Sequence, residues 1–252
     1  MPHTSHQHTG PGHITLLSLL VVLATLAVET RAAEGWMAGV QTTLAWDTYR
    51  QISISEVGTG TVINGQLDGA VRDPRTEDYT GAVNFTLARY LKPTWRVETS
   101  YQYRYRSDWD VALTTPSLQT ITNLFSNIRT HTLAASLIYE HTLPHNWRWQ
   151  AGAGFGWSLH RLESEYLERA VPGIRSEFRS TTDDHSNSFA WHVVMGASRP
   201  FTGFAGREWH LQFRYRYVDF AKVELGDFRD RAATGQATYT SHEILLGVES
   251  AL

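Results

Sequence analysis

The sequence contains no cysteine, so neither disulfides nor thiolate zinc sites can hold its fold. It shows little charge imbalance. A formal net charge of -3 at pH 7 carries no basic bias and argues against nucleic acid as a partner. Walker loops, dinucleotide fingerprints and convincing metal clusters are also missing, and no cofactor is expected. Long apolar runs are scarce: Ile14 to Val28 (ITLLSLLVVLATLAV) is one, and no second run approaches helical spanning length. Helical membrane proteins are thereby excluded. The mean hydropathy is that of a soluble protein, but a transmembrane β-barrel has such a composition too, because only every second strand residue faces lipid.

The Ile14 to Val28 run falls short of the roughly 20 residues of a spanning helix and suits the apolar core of a secretory leader. Cleavage after Ala32 leaves Thr30 at the third position back, whereas cleavage after Ala33 leaves Arg31 there. Residues 1–32 are therefore read as a signal peptide and 33–252 as one mature domain. The segment before the run has no Lys or Arg. Its His3, His6, His8 and His13 are read as part of a discarded, solvated leader rather than as a metal site.

Strict alternation is strongest from Trp95 to Trp109 (WRVETSYQYRYRSDW). Trp95, Val97, Thr99, Tyr101, Tyr103, Tyr105 and Trp109 share one face, with Arg96, Glu98, Ser100, Gln102, Arg104, Arg106 and Asp108 on the other. A helix would scatter these charges around its circumference; a strand sorts them, apolar outside and charged inside. The pattern recurs at Trp209 to Tyr217 and at Trp147 to Leu159, with Gly152, Gly154 and Gly156 facing inward. Weaker copies at Trp36 to Trp46, Tyr79 to Leu91, His131 to His141, Phe189 to Ala197 and Tyr239 to Leu252 bring the total to eight strands. A soluble barrel would keep few charges within, whereas this inner face collects Arg and Glu.

The connections alternate in length as those of an outer-membrane barrel do. Lys92 to Thr94, Leu143 to Asn146 and Thr202 to Glu208 are short; Thr48 to Asp78, Asp110 to Arg129, Arg161 to Ser188 and Val218 to Thr238 are long. The expected fold is all-β: an eight-stranded antiparallel transmembrane β-barrel with short periplasmic turns and four long extracellular loops. Trp36, Trp95, Trp147 and Trp209 open strands on the periplasmic side, and Trp46, Tyr79, Tyr105, Trp109, Trp157 and Tyr217 sit near the other rim. Such aromatic girdles mark membrane interfaces.

Leu211 to Gly226 (LQFRYRYVDFAKVELG) and Thr240 to Leu252 (TSHEILLGVESAL) resemble the closing hairpin of small opacity-type and OmpA-like outer-membrane β-barrel proteins. The resemblance implies residence in the cell outer membrane, contact with outer-membrane lipid and lipopolysaccharide, and assembly by the barrel-assembly machinery. It further implies a non-enzymatic role between envelope structure and adhesion. The chain departs from the family at Ser250 and Leu252, where an aromatic pair read during assembly usually stands.

Eight strands leave an interior just wide enough to be filled by side chains. Arg96, Glu98, Arg104, Arg106, Glu140, Arg148, Arg214, Arg216, Glu243 and Glu249 are the candidate lumen charges, read as a structural network in which carboxylates bridge guanidinium groups. A narrow gated pore is the alternative. An acyl hydrolase or transferase is a further one, with Ser158, His160, Asp183, Asp184, His185, Ser186 and His192 as its candidate groups. Loop charges such as Glu163, Glu165, Glu168, Arg169, Arg175, Glu177 and Arg179 could meet an extracellular ligand, and the glycine-rich first loop (Gly58, Gly60, Gly65, Gly69) is expected to be mobile. If the leader is processed as the sequence indicates, amino-terminal sequencing of the outer-membrane fraction should find a mature chain starting at Ala33. A chain still carrying Ile14 to Val28 would contradict this.

Overall fold

The computed structural model describes residues 35–56, 62–63, 71–75, 77–115, 120–170, 177–203, 206–228 and 233–252. Eight long strands form one closed antiparallel wall: β1 (Trp36–Glu56), β2 (Glu77–Lys92), β3 (Trp95–Thr115), β4 (Thr120–Thr142), β5 (Arg148–Ala170), β6 (Glu177–Thr202), β7 (Glu208–Phe228) and β8 (Ala233–Ala251). Closure is made by β1 on β8, which pair from Met37 opposite Ala251 to Glu56 opposite Ala233. With no open edge through the wall, the backbone satisfies its own hydrogen bonds inside hydrocarbon. Two short strands, Val62–Ile63 on β1 and Val71–Arg75 on β3, add to the outer rim.

The three short connections occur where the sequence places them. Between β4 and β5 a single 3-10 turn spans Pro144–Asn146, closed by the Leu143 amide donating to the Trp147 carbonyl at 2.7 Å. Its His145 and Asn146 have φ of 64° and 60°. Between β6 and β7 the Gly203 amide donates to the Arg207 carbonyl at 3.0 Å.

The long connections differ from expectation. Much of Asp110 to Arg129 and Arg161 to Ser188 is not loop but continued hairpin, with Thr115 paired to Thr120 and Arg169 to Glu177. Above the membrane the outward face of a strand meets water instead of lipid, so the apolar alternation stops while backbone pairing continues and Ile128, Leu162 and Ser164 stay buried on the inner face. Periodicity reports the membrane, not the strand. The glycines of the first loop, and the leader at 1–32, lie outside the described residues.

Burial is inverted relative to a soluble protein. Phe155 is 62% exposed and Leu133 59%, while Arg96 and Glu243 are at 0%. The lipid face and the lumen follow the two faces of each strand, and the inward glycines on β5 sit where the adjacent strands leave no room for a Cβ. At Gly154 a Cβ would stand 2.4 Å from the Ala135 carbonyl oxygen and 2.6 Å from the His192 ring.

Local bulges reset the alternation near the outer rim. On β3 Arg104 pairs with Thr130 but Ser107 pairs with Ile128, so Tyr105 and Arg106 together oppose one residue, Arg129. Adding one residue exchanges faces: Ser107 turns inward and is fully buried, and Arg106 turns out. A similar irregularity at Phe220 and Ala221, where Ala221 has φ 58°, interrupts β7 against β8.

Because Phe155 faces lipid near mid-wall, Phe155→Arg should destabilise the barrel by roughly 2 to 4 kcal/mol, and Leu159→Arg, close to the outer interface, by about 1 or less. Reversible urea unfolding in lipid vesicles measures both. Equal costs would show that the lipid-facing band is misplaced.

Candidate functional site in the lumen

Inward-facing positions of all eight strands contribute to a filled interior. Near the periplasmic end Arg96 reaches three carboxylates: Glu98 and Glu249 at 2.9 Å each, and Glu140 at 3.1 Å. Glu98 also holds Arg214 at 2.8 Å. Arg214 donates in turn to Gln150, whose amide donates to Glu140 at 2.9 Å. Tyr90, whose hydroxyl donates to Glu140 at 2.6 Å, stands between this cluster and the half-buried Arg148, 3.3 Å away.

Above this lies an amide layer in which Asn84 donates to Gln41 at 2.8 Å and Gln41 to Gln212 at 2.6 Å. Next comes a second charge cluster. Arg216 donates through Nε to Glu243 at 2.6 Å, and Arg104 bridges Glu243 and Asp47. Tyr239 donates to the other oxygen of Asp47 at 2.9 Å. An aromatic layer closes the outer end: Tyr239 stacks on Phe220 at 4.5 Å and on Tyr49 at 4.8 Å, with the His160 ring edge-on to both Phe220 and Tyr239. The Arg104 guanidinium lies 5.2 Å from the Phe220 ring centroid, within cation–π range.

Among the described residues the buried lumen thus holds four guanidinium groups (Arg96, Arg104, Arg214, Arg216) and five carboxylates (Asp47, Glu98, Glu140, Glu243, Glu249). Arg148 stands at the mouth of this acidic surplus. Each cation touches at least one carboxylate, as a narrow, poorly hydrated space demands. This arrangement binds the strands together across the barrel; it leaves few side-chain atoms free to move or to meet a solute.

One of the ten residues expected in the lumen is not there. Arg106 is a correction: the β3 bulge sends it outward, where its side chain is 62% exposed and donates to Asp108 at 2.7 Å. Asp47, Tyr49, Phe220 and Tyr239 join the lumen without having been among the candidates. Asp47 stands one residue beyond Trp46, where the recognisable alternation on β1 ends, and its parity with Gln41 and Thr43 was the available signal. Tyr49, Phe220 and Tyr239 are large rings on the inner face, contrary to the rule that aromatics face lipid.

The candidate catalytic groups do not assemble into a triad. Ser158 pairs with Thr132 at 2.9 Å, not with His160. His160 instead contacts Ser188 through Nε2 and Thr130 through Nδ1, both at 2.9 Å, so no carboxylate orients its ring. His192 contacts Ser136 at 2.8 Å. Asp183 is engaged by Arg161 on the outer surface, Asp184 accepts from the His185 amide, and Ser186 accepts from the Glu224 amide. Of the loop charges, Glu163 pairs with Arg129 at 3.4 Å. Glu168, Arg169, Glu177 and Arg179 lie in the paired β5–β6 hairpin, and Arg175 lies outside the described residues.

Removing Glu243 would strand Arg216, whose carboxylate partner it is, and leave Arg104 with Asp47 alone. Glu243→Ala should therefore cost on the order of 3 to 5 kcal/mol, and Glu243→Gln less, since it keeps the volume and one acceptor oxygen. Unchanged urea stability of Glu243→Ala in vesicles would remove this residue from the network.

Solved structures resembling the chain include Neisserial surface protein A (14% identity, 87% of this chain and 98% of that one, TM-score 0.47). Another is the outer membrane protein OprG from Pseudomonas aeruginosa (12%, 86% and 96%, TM-score 0.47). A third is Ail, the attachment invasion locus protein of Yersinia pestis (10%, 87% and 99%, TM-score 0.35). No curated protein matches. A family model described as "Outer membrane protein beta-barrel domain" matches residues 16–249. With nearly the whole sequence matched and an apolar wall enclosing a charged lumen, the chain belongs to the outer-membrane β-barrel protein family and resides in the cell outer membrane.

Proposed function

We propose that this protein is a closed, non-conducting and non-enzymatic barrel that serves the integrity of the outer membrane and displays its extended hairpins to the outside. The observation that carries the reading is the lumen. Two ion-pair clusters and an aromatic layer occupy it along its length, and Arg96, Arg104, Arg214, Tyr49, Tyr239 and Phe220 are among the largest fully buried side chains. Ions would have to break charge-assisted hydrogen bonds, the strongest class in a protein, to pass.

The hairpins give the second half of the reading. Paired backbone holds β3–β4 and β5–β6 as strands well above the lipid-facing band, which suits them to present charged side chains to lipopolysaccharide or to an extracellular ligand. Export by a cleaved leader at 1–32 and insertion by the barrel-assembly machinery complete the proposal.

Purified, refolded protein in planar bilayers should show no steady conductance. The double variant Phe220→Ala/Tyr239→Ala, which removes two rings of the outer layer, should raise conductance only weakly, since the Arg96 and Arg104 clusters still fill the lumen. Discrete, regular channel openings in the unmodified protein would overturn the closed-barrel reading in favour of a gated pore.

A further inference from the structure

Outside the hydrocarbon the wall divides into two sheets. Among the described residues, pairing of β6 with β7 ends at Trp191 opposite Asp219, although β6 begins further out at Glu177 and β7 continues to Phe228. A slit therefore runs between them. On the far side, pairing of β1 with β2 ends at Thr48 opposite Glu77, while β1 continues along β8 to Glu56 with only Val62–Ile63 on its other edge. Residues 220–228, 233–239 and 49–56 thus leave the membrane as a three-stranded flap, β7–β8–β1, which faces a second sheet made by β3 to β6.

The two sheets differ at their base. β4, β5 and β6 pair without a single register shift, from Thr142 opposite Arg148 and Arg148 opposite Ser198 out to Thr120 opposite Ala170 and Arg169 opposite Glu177. They form a regular, continuous blade. Both ladders of the flap are interrupted just beyond Trp46 and Tyr217: Gln51 and Ile52 of β1 together oppose Ala237, and Phe220 and Ala221 of β7 together oppose Tyr239. Such bulges bend the strand that carries them.

Backbone strain is concentrated at the same two places. Among the described residues the non-glycine positions with positive φ are His145 and Asn146 in a periplasmic turn, and Gln51 at 50° and Ala221 at 58° in the flap base. A Cβ disfavours this region. Side chains hold both bulges where ladder bonds are interrupted: the Ala221 amide donates to Asp219 at 2.7 Å, and Thr238 donates to Gln51 at 3.1 Å.

Flap and facing sheet meet through side chains. Across the slit the Glu224 amide donates to the Ser186 hydroxyl at 3.2 Å, and the Tyr49 hydroxyl donates to Ser107 at 2.8 Å. The rings of Phe220 and Tyr239 meet His160 edge-on. Val223 and Ala237 are buried on the inner face of the flap, as Ile128 and Leu162 are on that of the blade. All of these contacts can be released without breaking a backbone pair of the wall below.

We propose that the β7–β8–β1 flap is a hinged lid over the lumen, turning at Gln51 and Ala221 and parting from β6 along the slit between Ser186 and Glu224, while the β4–β6 blade stays fixed. A few residues that absorb a change in φ and ψ between two stiff bodies are the usual make-up of a hinge. Swung outward, the lid carries Val223 and Ala237 away from Ile128 and Leu162 and opens the outer end of the lumen to water. The inference rests on the closed-barrel reading only for what lies beneath the lid. An open pore in bilayer recordings would leave the hinge standing, and a rigid flap would leave the closed barrel standing.

The chain has no cysteine of its own, so spin labels can be placed singly and distances read by pulsed electron paramagnetic resonance on the full mature protein in phosphatidylcholine nanodiscs. Gln236→Cys on the flap with Thr181→Cys on β6 reports the lid, and Phe125→Cys on β4 with Thr181→Cys reports the blade. The blade pair should give one narrow distance. The lid pair should give a main short distance and a minor longer one. Tyr49→Phe/Ser186→Ala, which removes two clasps, should raise the ratio of long to short distances roughly fivefold for each hydrogen bond lost and leave the blade pair unchanged. Heat-modifiable mobility on gels verifies folding; should the double variant fail to fold, Ser107→Ala removes the Tyr49 clasp from the other side and should shift the ratio in the same direction. A single short distance for the lid pair in both the unmodified protein and a folded clasp variant would overturn the proposal. Equal broadening of the lid and blade pairs, the mark of general loosening, would overturn it as well.

Discussion

An eight-stranded wall encloses an interior just wide enough for side chains to fill, so a guanidinium group placed inside must find its compensation from other side chains. The rest of this molecule is arranged around that requirement. Arg96 draws carboxylates from β3, β4 and β8, and Arg104 draws them from β1 and β8. Each cation thus ties together strands that are not neighbours in the wall. Inward glycines on β5 leave room for side chains of the neighbouring strands, Ile138 and Ala134 on β4 and His192 on β6. The lipid face has no comparable constraint beyond being apolar, and its residues vary freely among Leu, Val, Phe, Trp and Met.

The same requirement explains why the alternation was so readable. Strand membership, face and periplasmic turns were all legible because lipid on one side and a charged lumen on the other impose opposite chemistries on successive residues. Glu243 beside Arg216 and Glu249 near the base follow from the antiparallel pairing of β7 with β8 alone. The bulge at Tyr105 and Arg106 was not legible: it depends on how β3 meets β4, and the run of alternating residues passes through it without a glycine or proline to mark it. Asp47 and Tyr49 were missed for a related reason. Once β1 leaves the hydrocarbon its outer face becomes polar, and a polar residue on the inner face no longer stands out. The inward rings of Tyr49, Phe220 and Tyr239 were hidden by the expectation that aromatics seek the interface, which holds for the wall and fails where a ring closes the lumen.

Two charged surfaces, built from the same residue types, behave differently because of their surroundings. In the lumen every guanidinium is shielded from water, and losing a partner is costly. On the β3–β6 rim Arg106, Arg129 and Arg161 are exposed and their ion pairs contribute little to stability. Burial, rather than sequence, separates a structural arginine from an available one.

The seam between β1 and β8 gives order to the way the molecule comes together. Glu243 and Glu249 are both carried by β8, the last strand of this wall in chain order, and they meet Arg104, Arg216 and Arg96 only when that strand is seated. A wall without β8 has an open sheet edge and, at the same moment, leaves Arg216 without its carboxylate and Arg96 and Arg104 with one fewer each, so four buried arginines face three carboxylates instead of five. Such a partly built wall is unwelcome in hydrocarbon, and arrival of the final strand removes the edge and the excess charge in a single event. The carboxyl-terminal strand acts as a latch whose closure is sensed electrostatically throughout the lumen.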